Sequence, residues 1–557
     1  VPSDALVDRA ELELCTDWTT LTNDQHLMNE MGAMMTGESI VILGGGSAGW
    51  MTAAYLKKAL RGVDIALIES ANVGTIGVGE ASFSTMKLFF DYLGLDESEW
   101  MPPCNATYKL GIKFTNWTAG GGHFYHPFQR YEVIDGNNLG EWWLNLKSNE
   151  TPFDSACFST PALCENNKSP RYLNGGVFDH KVKTTFNFAS QAPPNTFLSD
   201  HRSQYPYGYH FEASLLASFL KKYATALGVR CIKDDVDDVL LSSDGSIDCL
   251  RTRRNGPVKG SLYVDCTGFR GLLINQALKE PFVSFQDVLL NDRAIALQVP
   301  YRADTSDIQP FTSATALPSG WVWNIPLYNR VGTGYVYCSQ FISSEQAESD
   351  LRAHLGPRAK DCIANHIKMR IGRCRNSWVK NCVAIGLSSG FVEPLESTGI
   401  FFIQFGIEEL LRHYSGSMTD PDVVADYNRI IADCIDGVRD FLVLHYRASD
   451  RTDTPFWAAT KEISVPPSVD QRLKLWKKRL PNERSINSCY HGFEFYSYSV
   501  MLLGLRYWPV NSLPTLGHSN LSAAVAAFQA VQDRTAELVR KLPSHLEYLQ
   551  HLRRASN

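Results

Sequence analysis

The chain has 557 residues, room for about three domains of ordinary size, and its 44% apolar and 20% charged residues exclude a disordered or collagen-like chain. A formal charge of −6 without a basic run argues against nucleic-acid or anionic-membrane partners and for a small-molecule substrate. Among its 13 cysteines there is no Cys-x-x-Cys pair and no run nears the ~20 apolar residues of a membrane span, so neither a zinc site, a disulfide framework nor a membrane anchor is expected; the cysteines read as reduced and buried in a cytoplasmic protein.

In chain order, residues 1–37 are polar and mildly amphipathic. They read as an extension before a start at Met34 or Met35, disordered or loosely helical, with a docking arm as the rival reading. "SIVILGGGSAGWMTAAYLKKAL" then predicts a strand, a glycine turn and a helix, and "DIALIES" the second strand of a βαβ unit. Short strands and loops fill about 100–395, with "SLYVDCTG" and "NCVAIGLSSG" as two more buried strands. Helical patterns take over after Gly399, in "IQFGIEELLRHY" and "AVAAFQAVQDRTAELVRKL". The expected fold is α/β (α+β): a nucleotide-binding body over 38–400 and a mostly helical part over 401–557.

Gly44, Gly46 and Gly49 form a G-x-G-x-x-G between a strand and a helix, and Glu69 ends the next strand. The glycines let backbone approach a pyrophosphate at the helix start, and the carboxylate can accept from an adenosine ribose hydroxyl. FAD and NAD both satisfy this pattern. No second such motif follows a strand, so a built-in nicotinamide site is not expected.

Other residues have the chemistry for a site. In "NATYKLGIKF", a period of two sets Tyr108, Leu110, Ile112 and Phe114 on one strand face and Lys109, Gly111 and Lys113 on the other; lysines on strand surfaces are ordinarily solvated, and spacing does not single out Lys109. In "FVEPLESTGIFF", Glu393 and Glu396 interrupt an apolar stretch, and Ser397, Thr398 and Gly399 precede a helix whose free N–H groups can hold an anion; Glu396 is a candidate general base or a helix cap. "GHFYHPF" offers His126 and Phe128 for stacking a flat ring, while His123 and His126 alone do not make a metal site. "YHGFEFYSYS" mixes aromatics with Glu494.

"GWVWNIP", with Trp321, Trp323, Ile325 and Pro326, joins these pieces, because its W-x-W-x-I-P resembles the signature of the flavin-dependent tryptophan halogenases. The likeness runs from Ile40 to the end through "GGGSAGWM", "GVGEASFS", "NATYKLGIKF", "VDCTGFRGLLINQAL" and "VEPLESTGIFFIQ". Within the family it is nearest to 5-halogenases of the pyrroindomycin type, at "FFDYLGLDESEW", "YHPF" and "YHGFE".

The resemblance implies a single-component-monooxygenase-like FAD fold in which FADH2 and O2 oxidise chloride or bromide to hypohalous acid, which crosses a tunnel to a separate indole site. It puts the essential lysine at Lys109, the essential glutamate at Glu396, and a link between tunnel and flavin at Ser397. Halide is expected at the amides of Thr398 and Gly399. The flavin is expected against Gly44, Gly46, Ser47, Ala48, Gly49, Glu69, Gly79, Trp321, Trp323, Gly386, Leu387 and Ile400, with both tryptophans barring organic substrate from it. The indole site is expected from Glu80, Phe83, His126, Pro127 and Phe128, and the amino-acid end from Gln204, Tyr207, Phe493, Glu494 and Tyr496, although the sequence departs from the pyrroindomycin-type pattern around "LSDHRSQYPY". A separate NAD(P)H-dependent flavin reductase, a role in antibiotic or other secondary metabolism and a possible homodimer belong to the same expectation. Position 5 of tryptophan is the expected target, position 6 or another indole or peptidyl tryptophan the alternative. An aromatic hydroxylase and a non-catalytic flavin protein are the readings outside the family.

Overall fold

The computed structural model describes residues 37–60, 62–72, 79–146, 151–179, 205–302, 305, 307–416, 420–486, 491–510 and 513–555. The expectations for residues 1–36 and for Gln204 lie outside them. Strand β1 (Ser39–Leu43), helix α1 (Ser47–Ala59) and strand β2 (Asp64–Glu69) form the expected opening unit, with β1 and β2 parallel and Ile40 beside Ile65. Their apolar runs suit strands buried on both faces. The intervening turn demands glycine twice: Gly44 has φ +124°, and its Cβ would lie 2.3 Å from the Cys266 carbonyl oxygen, while a Cβ on Gly49 would lie 1.8 Å from that of Gly44. The helix therefore starts tight against the turn.

Next come β3 (Gly79–Ala81), β4 (Thr107–Lys109), β5 (Gly111–Thr115), β6 (His123–Pro127), β7 (Gly208–Glu212), helix α2 (Ala213–Ala226), β8 (Arg230–Lys233) and β9 (Leu262–Asp265). They are followed by β10 (Arg293–Pro300), β11 (Thr312–Leu317), β12 (Gly320–Pro326), β13 (Arg330–Tyr337), β14 (Asn365–Lys368), β15 (Trp378–Val379) and β16 (Cys382–Ala384). One sheet, in the order β8-β2-β1-β9-β16-β15, is parallel except at β15. A second, β14-β10-β13-β12-β11-β5-β6, is antiparallel except for the β11–β5 pair. The small antiparallel sheet β3-β7-β4 lies beside them.

The continuous strand expected through Lys109 and Lys113 is broken. Leu110 donates to the Pro310 carbonyl at 2.7 Å and accepts from Phe128 at 3.1 Å, so β4 joins the small sheet and β5 the large one. Neither lysine is solvated as an edge residue would be: Lys109 is fully buried, and Lys113 pairs with Glu165 at 2.7 Å.

Helices α3 (Gly399–His413), α4 (Pro421–Ala448), α5 (Phe495–Gly504), α6 (Leu521–Lys541) and α7 (His545–Ala555) dominate the C-terminal part. Asp420 caps α4 by accepting from the Asp422 N–H, and Pro421 occupies its first turn, where a missing N–H costs nothing. Tyr427, Ile431, Cys434, Val438, Phe441 and His445 recur at helical spacing on the buried side of α4. Helix α3 spans the boundary expected at 400/401, and one apolar core includes Ile40 and Leu552 alike. The described cysteines form no disulfide, and no described helix is long and apolar enough to cross a membrane.

Candidate active site

A cavity of about 260 Å³ opens beside the glycine turn. Gly46, Ser47, Ala48, Gly79, Trp323, Leu387 and Ile400, all expected against the flavin, line it together with Ser397 and Gly399. A Cβ on Gly46 or on Gly399 would meet no protein atom within 4 Å, so bare backbone faces the space at the start of both α1 and α3. Unpaired N–H groups and the positive end of the helix dipole favour an anion there. A cradle with a missing Cβ beside a helix start fits the pyrophosphate of a flavin dinucleotide.

Other expected cofactor contacts sit one layer back. Gly44 and Gly49 shape the turn, and Gly386, at φ +79°, brings its Cα so near α1 that a Cβ would lie 2.9 Å from that of Ala48. Glu69 ends β2 as expected, with its carboxylate on the Trp50 indole N–H at 3.2 Å and on the Lys221 ammonium. Trp321 and Trp323 share a strand face with ring centroids 6.3 Å apart, yet only Trp323 lines the cavity. Its indole edge rests over Gly334, where a Cβ would lie 2.2 Å from the ring. Trp321 donates instead to Glu393, which also accepts from Asn291 at 2.9 Å and Tyr446 at 2.6 Å. The expected wall of two indoles is thus one indole, because the second is held by a buried carboxyl group. Burial raises that carboxyl's pKa.

Glu80 also differs from expectation. Expected with Phe83, His126, Pro127 and Phe128, it lines the larger cavity instead, and burial pushes its carboxyl up to about 7. Cys266, Phe269, Thr312 and Phe391, which were not expected at a site, line the same cavity.

Lys109 lies behind the cavity lining, on Ser397. Its amine donates to Ser397 Oγ at 2.9 Å and the Ser82 carbonyl at 3.3 Å, and lies 5.2 Å from the Phe128 ring centre. Burial lowers its pKa to about 7, against the opposing charge of Glu396. Opposite it in β7 is Gly208, whose Cβ would lie 2.7 Å from the Ser82 carbonyl oxygen; glycine lets that carbonyl and the amine meet.

Glu396 ends a short 3-10 turn, Pro394–Glu396, and Ser397 follows at φ +61°. That left-handed residue, sterically costly for a side chain by roughly 1–2 kcal/mol, turns neighbours to opposite sides: Ser397 faces the flavin-side cavity, Glu396 a second, smaller one. Thr398 is buried behind Gly399. Burial pushes the Glu396 carboxyl up, but His126 and His445 outweigh it and hold it at about 2. His126 Nδ1 is 3.1 Å from both carboxylate oxygens, and His445 Nε2 2.8 Å from Oε1. His445 escaped the sequence reading, because its role depends on a contact 49 residues away.

The second cavity is lined by Phe83, His126, Pro127, Phe128, Phe493 and Tyr496, with Glu396, Ile112 and Gly492. It measures about 20 Å³, and the His126 and Phe493 ring centres are 6.3 Å apart, less than the about 7 Å that a flat ring stacked between two others needs. Glu494, expected at the amino-acid end, does not line it and pairs with Arg130 at 2.9 Å. Tyr207, expected at the amino-acid end, lies elsewhere: fully buried, its hydroxyl binds Glu97 at 3.0 Å in a cluster with Tyr108, Tyr209 and Arg171.

Comparison with known proteins identifies the family. The Tryptophan halogenase family profile matches residues 39–192 and 189–520. The tryptophan 6-halogenase SttH of Streptomyces toxytricini is 49% identical over 92% of this chain and 97% of its own length, and its crystal structure superposes with a TM-score of 0.87 at 48% identity over 92% and 99% of the two chains. The 7-chloro-L-tryptophan 6-halogenase KtzR of Kutzneria sp. (strain 744) is 49% identical over 92% and 99%, whereas the structure of MibH, a lanthipeptide tryptophan 5-halogenase, gives a TM-score of 0.77 at 28% identity over 93% of each chain. The chain therefore belongs to the tryptophan halogenases and is a flavin-dependent enzyme of that family.

Proposed function

We propose that the enzyme halogenates carbon 6 of the tryptophan indole with chloride or bromide. The expectation of position 5 is set aside, since the two 49% identical relatives are 6-halogenases and the 5-halogenase is 28% identical. The observation that carries the chemistry is the Lys109–Ser397 hydrogen bond of 2.9 Å, at the wall between a cavity suited to flavin and an aromatic pocket.

When bound, reduced FAD with O2 supplies the oxidation of halide to hypohalous acid. Gly46, Ser47 and Ala48 would hold its pyrophosphate, and the start of α3 at Thr398 and Gly399 favours the halide anion. Trp323 keeps organic substrate off the flavin side. Lys109 receives the hypohalous acid, by hydrogen bond or as a haloamine, and aims the halogen at a ring clasped by Phe83, His126, Pro127, Phe128 and Phe493. Burial brings its amine to about 7, so both the donor and the nucleophilic form are accessible near neutrality. Glu396, ionised beside it, takes the proton from the halogenated carbon. Electrons reach the flavin from a separate NAD(P)H-dependent reductase.

The test combines the protein with a flavin reductase, NADH, FAD, oxygen, bromide or chloride, and tryptophan. A halogen isotope pattern by mass spectrometry and a 6-substituted ring by NMR are expected; a hydroxylated or 5-substituted product would overturn the reading.

A further inference from the structure

His445 of α4 makes two hydrogen bonds whose donors can be counted. Its Nδ1 is 2.7 Å from the Phe441 carbonyl oxygen. A carbonyl only accepts, so Nδ1 carries a hydrogen. Its Nε2 is 2.8 Å from Glu396 Oε1, and an ionised carboxylate also only accepts. With Nδ1 committed, Glu396 can be ionised in this geometry only if Nε2 carries a hydrogen too.

We propose that His445 is an imidazolium whenever Glu396 is ionised, and that this doubly protonated ring is the positioning residue that keeps Glu396 charged and aimed as the base of halogenation. The inference rests on the function proposed above and assigns its proton chemistry. The ring is fully buried among Phe114, Trp117 and Phe441, with centroids 5.6, 6.4 and 4.7 Å away. The titratable groups that face it or its partner are Glu396 itself, His126 of β6 on the other side of the carboxylate, Lys109 of β4, and Glu393, whose carboxyl feels the His445 charge. The next residue of α4, Tyr446, binds Glu393, so two consecutive side chains of one rigid helix hold both glutamates of the "EPLE" turn.

In the step it serves, the halogen of the hypohalous acid bonds to the ring carbon and hydroxide is released. The C–H bond of that carbon then breaks, its electron pair returns to the ring, and the proton forms an O–H bond on Glu396. Glu396 passes it to the hydroxide, giving water, and is ionised again. His445 keeps both hydrogens throughout. Without the Nε2 hydrogen, a lone pair would face Glu396 Oε1 at 2.8 Å and leave the base misaimed.

The test has two arms. In flavin-free protein labelled with 15N-histidine, the His445 ring, identified by its disappearance in His445→Gln or His445→Asn, should show two protonated nitrogens near pH 7; one protonated and one bare nitrogen would overturn the proposal. In the reductase-coupled reaction with bromide and tryptophan, His445→Gln, which keeps a neutral N–H, should lower kcat at least about tenfold and leave KM for tryptophan within about twofold. An unchanged kcat would also overturn it. Wild-type protein that shows the imidazolium but halogenates no tryptophan would instead overturn the proposed function.

Discussion

Trp321 donates its indole N–H to Glu393 at 2.9 Å, three residues before Glu396. The paired tryptophans of "GWVWNIP" thus divide their work: Trp323 lines the flavin-side cavity, and Trp321 anchors the turn that carries Glu396. Trp321→Phe should leave FAD affinity within about twofold and cost about 1–2 kcal/mol of stability, from a lost donor to a buried acceptor. Trp323→Ala should weaken FAD binding at least about tenfold. Flavin fluorescence titration and denaturant unfolding of both variants separate the two effects.

Lys109→Ala should cut kcat at least about a hundredfold while FAD still binds, because the amine touches Ser397 from the side of the aromatic pocket. Glu396→Gln should lower kcat with tryptophan affinity largely kept. Turnover by halide-dependent product formation, alongside calorimetric tryptophan binding, checks both.

The Lys109 amine also leaves a signature in stability. Burial lowers its pKa from 10.5 to about 7, so between about pH 7 and 10.5 the unfolded chain holds more protons than the folded one, and this group makes stability rise with pH. Below that window both states carry the charge and its burial cost is present in full. Lys109→Met should flatten the rise, a difference of at most a few kcal/mol, measured by denaturant unfolding at several pH values.

Gly46→Ala and Gly49→Ala should fail differently. At Gly46 the new methyl group enters open cavity, so the variant should fold with near-normal stability and lose FAD binding. At Gly49 it would meet the Gly44 carbonyl oxygen at 1.8 Å, so the variant should melt several degrees lower. Thermal unfolding without flavin, then flavin titration, distinguishes them.

Tyr207→Phe should cost about 1 kcal/mol and leave KM for tryptophan unchanged, since its hydroxyl serves the Glu97 cluster. Melting curves and steady-state kinetics are the measurements.

Local pattern carried the opening βαβ unit, the glycine turn, Glu69 at its strand end and the helical C-terminal part, because strand and helix periods and the steric demands of a tight turn are written in consecutive residues. The likeness of "GWVWNIP" and its companion motifs added the family. The sequence by itself therefore determined what kind of enzyme this is and which residue types it can bring to bear. Only the tertiary structure decided where they act. The break at Leu110 buried Lys109 and left Lys113 on Glu165, the left-handed Ser397 turned two neighbours toward different cavities, and α4 delivered His445 to Glu396 and Tyr446 to Glu393. Those outcomes depend on contacts between residues tens or hundreds of positions apart, whose energies are set by burial and donor geometry that no short stretch of chain encodes.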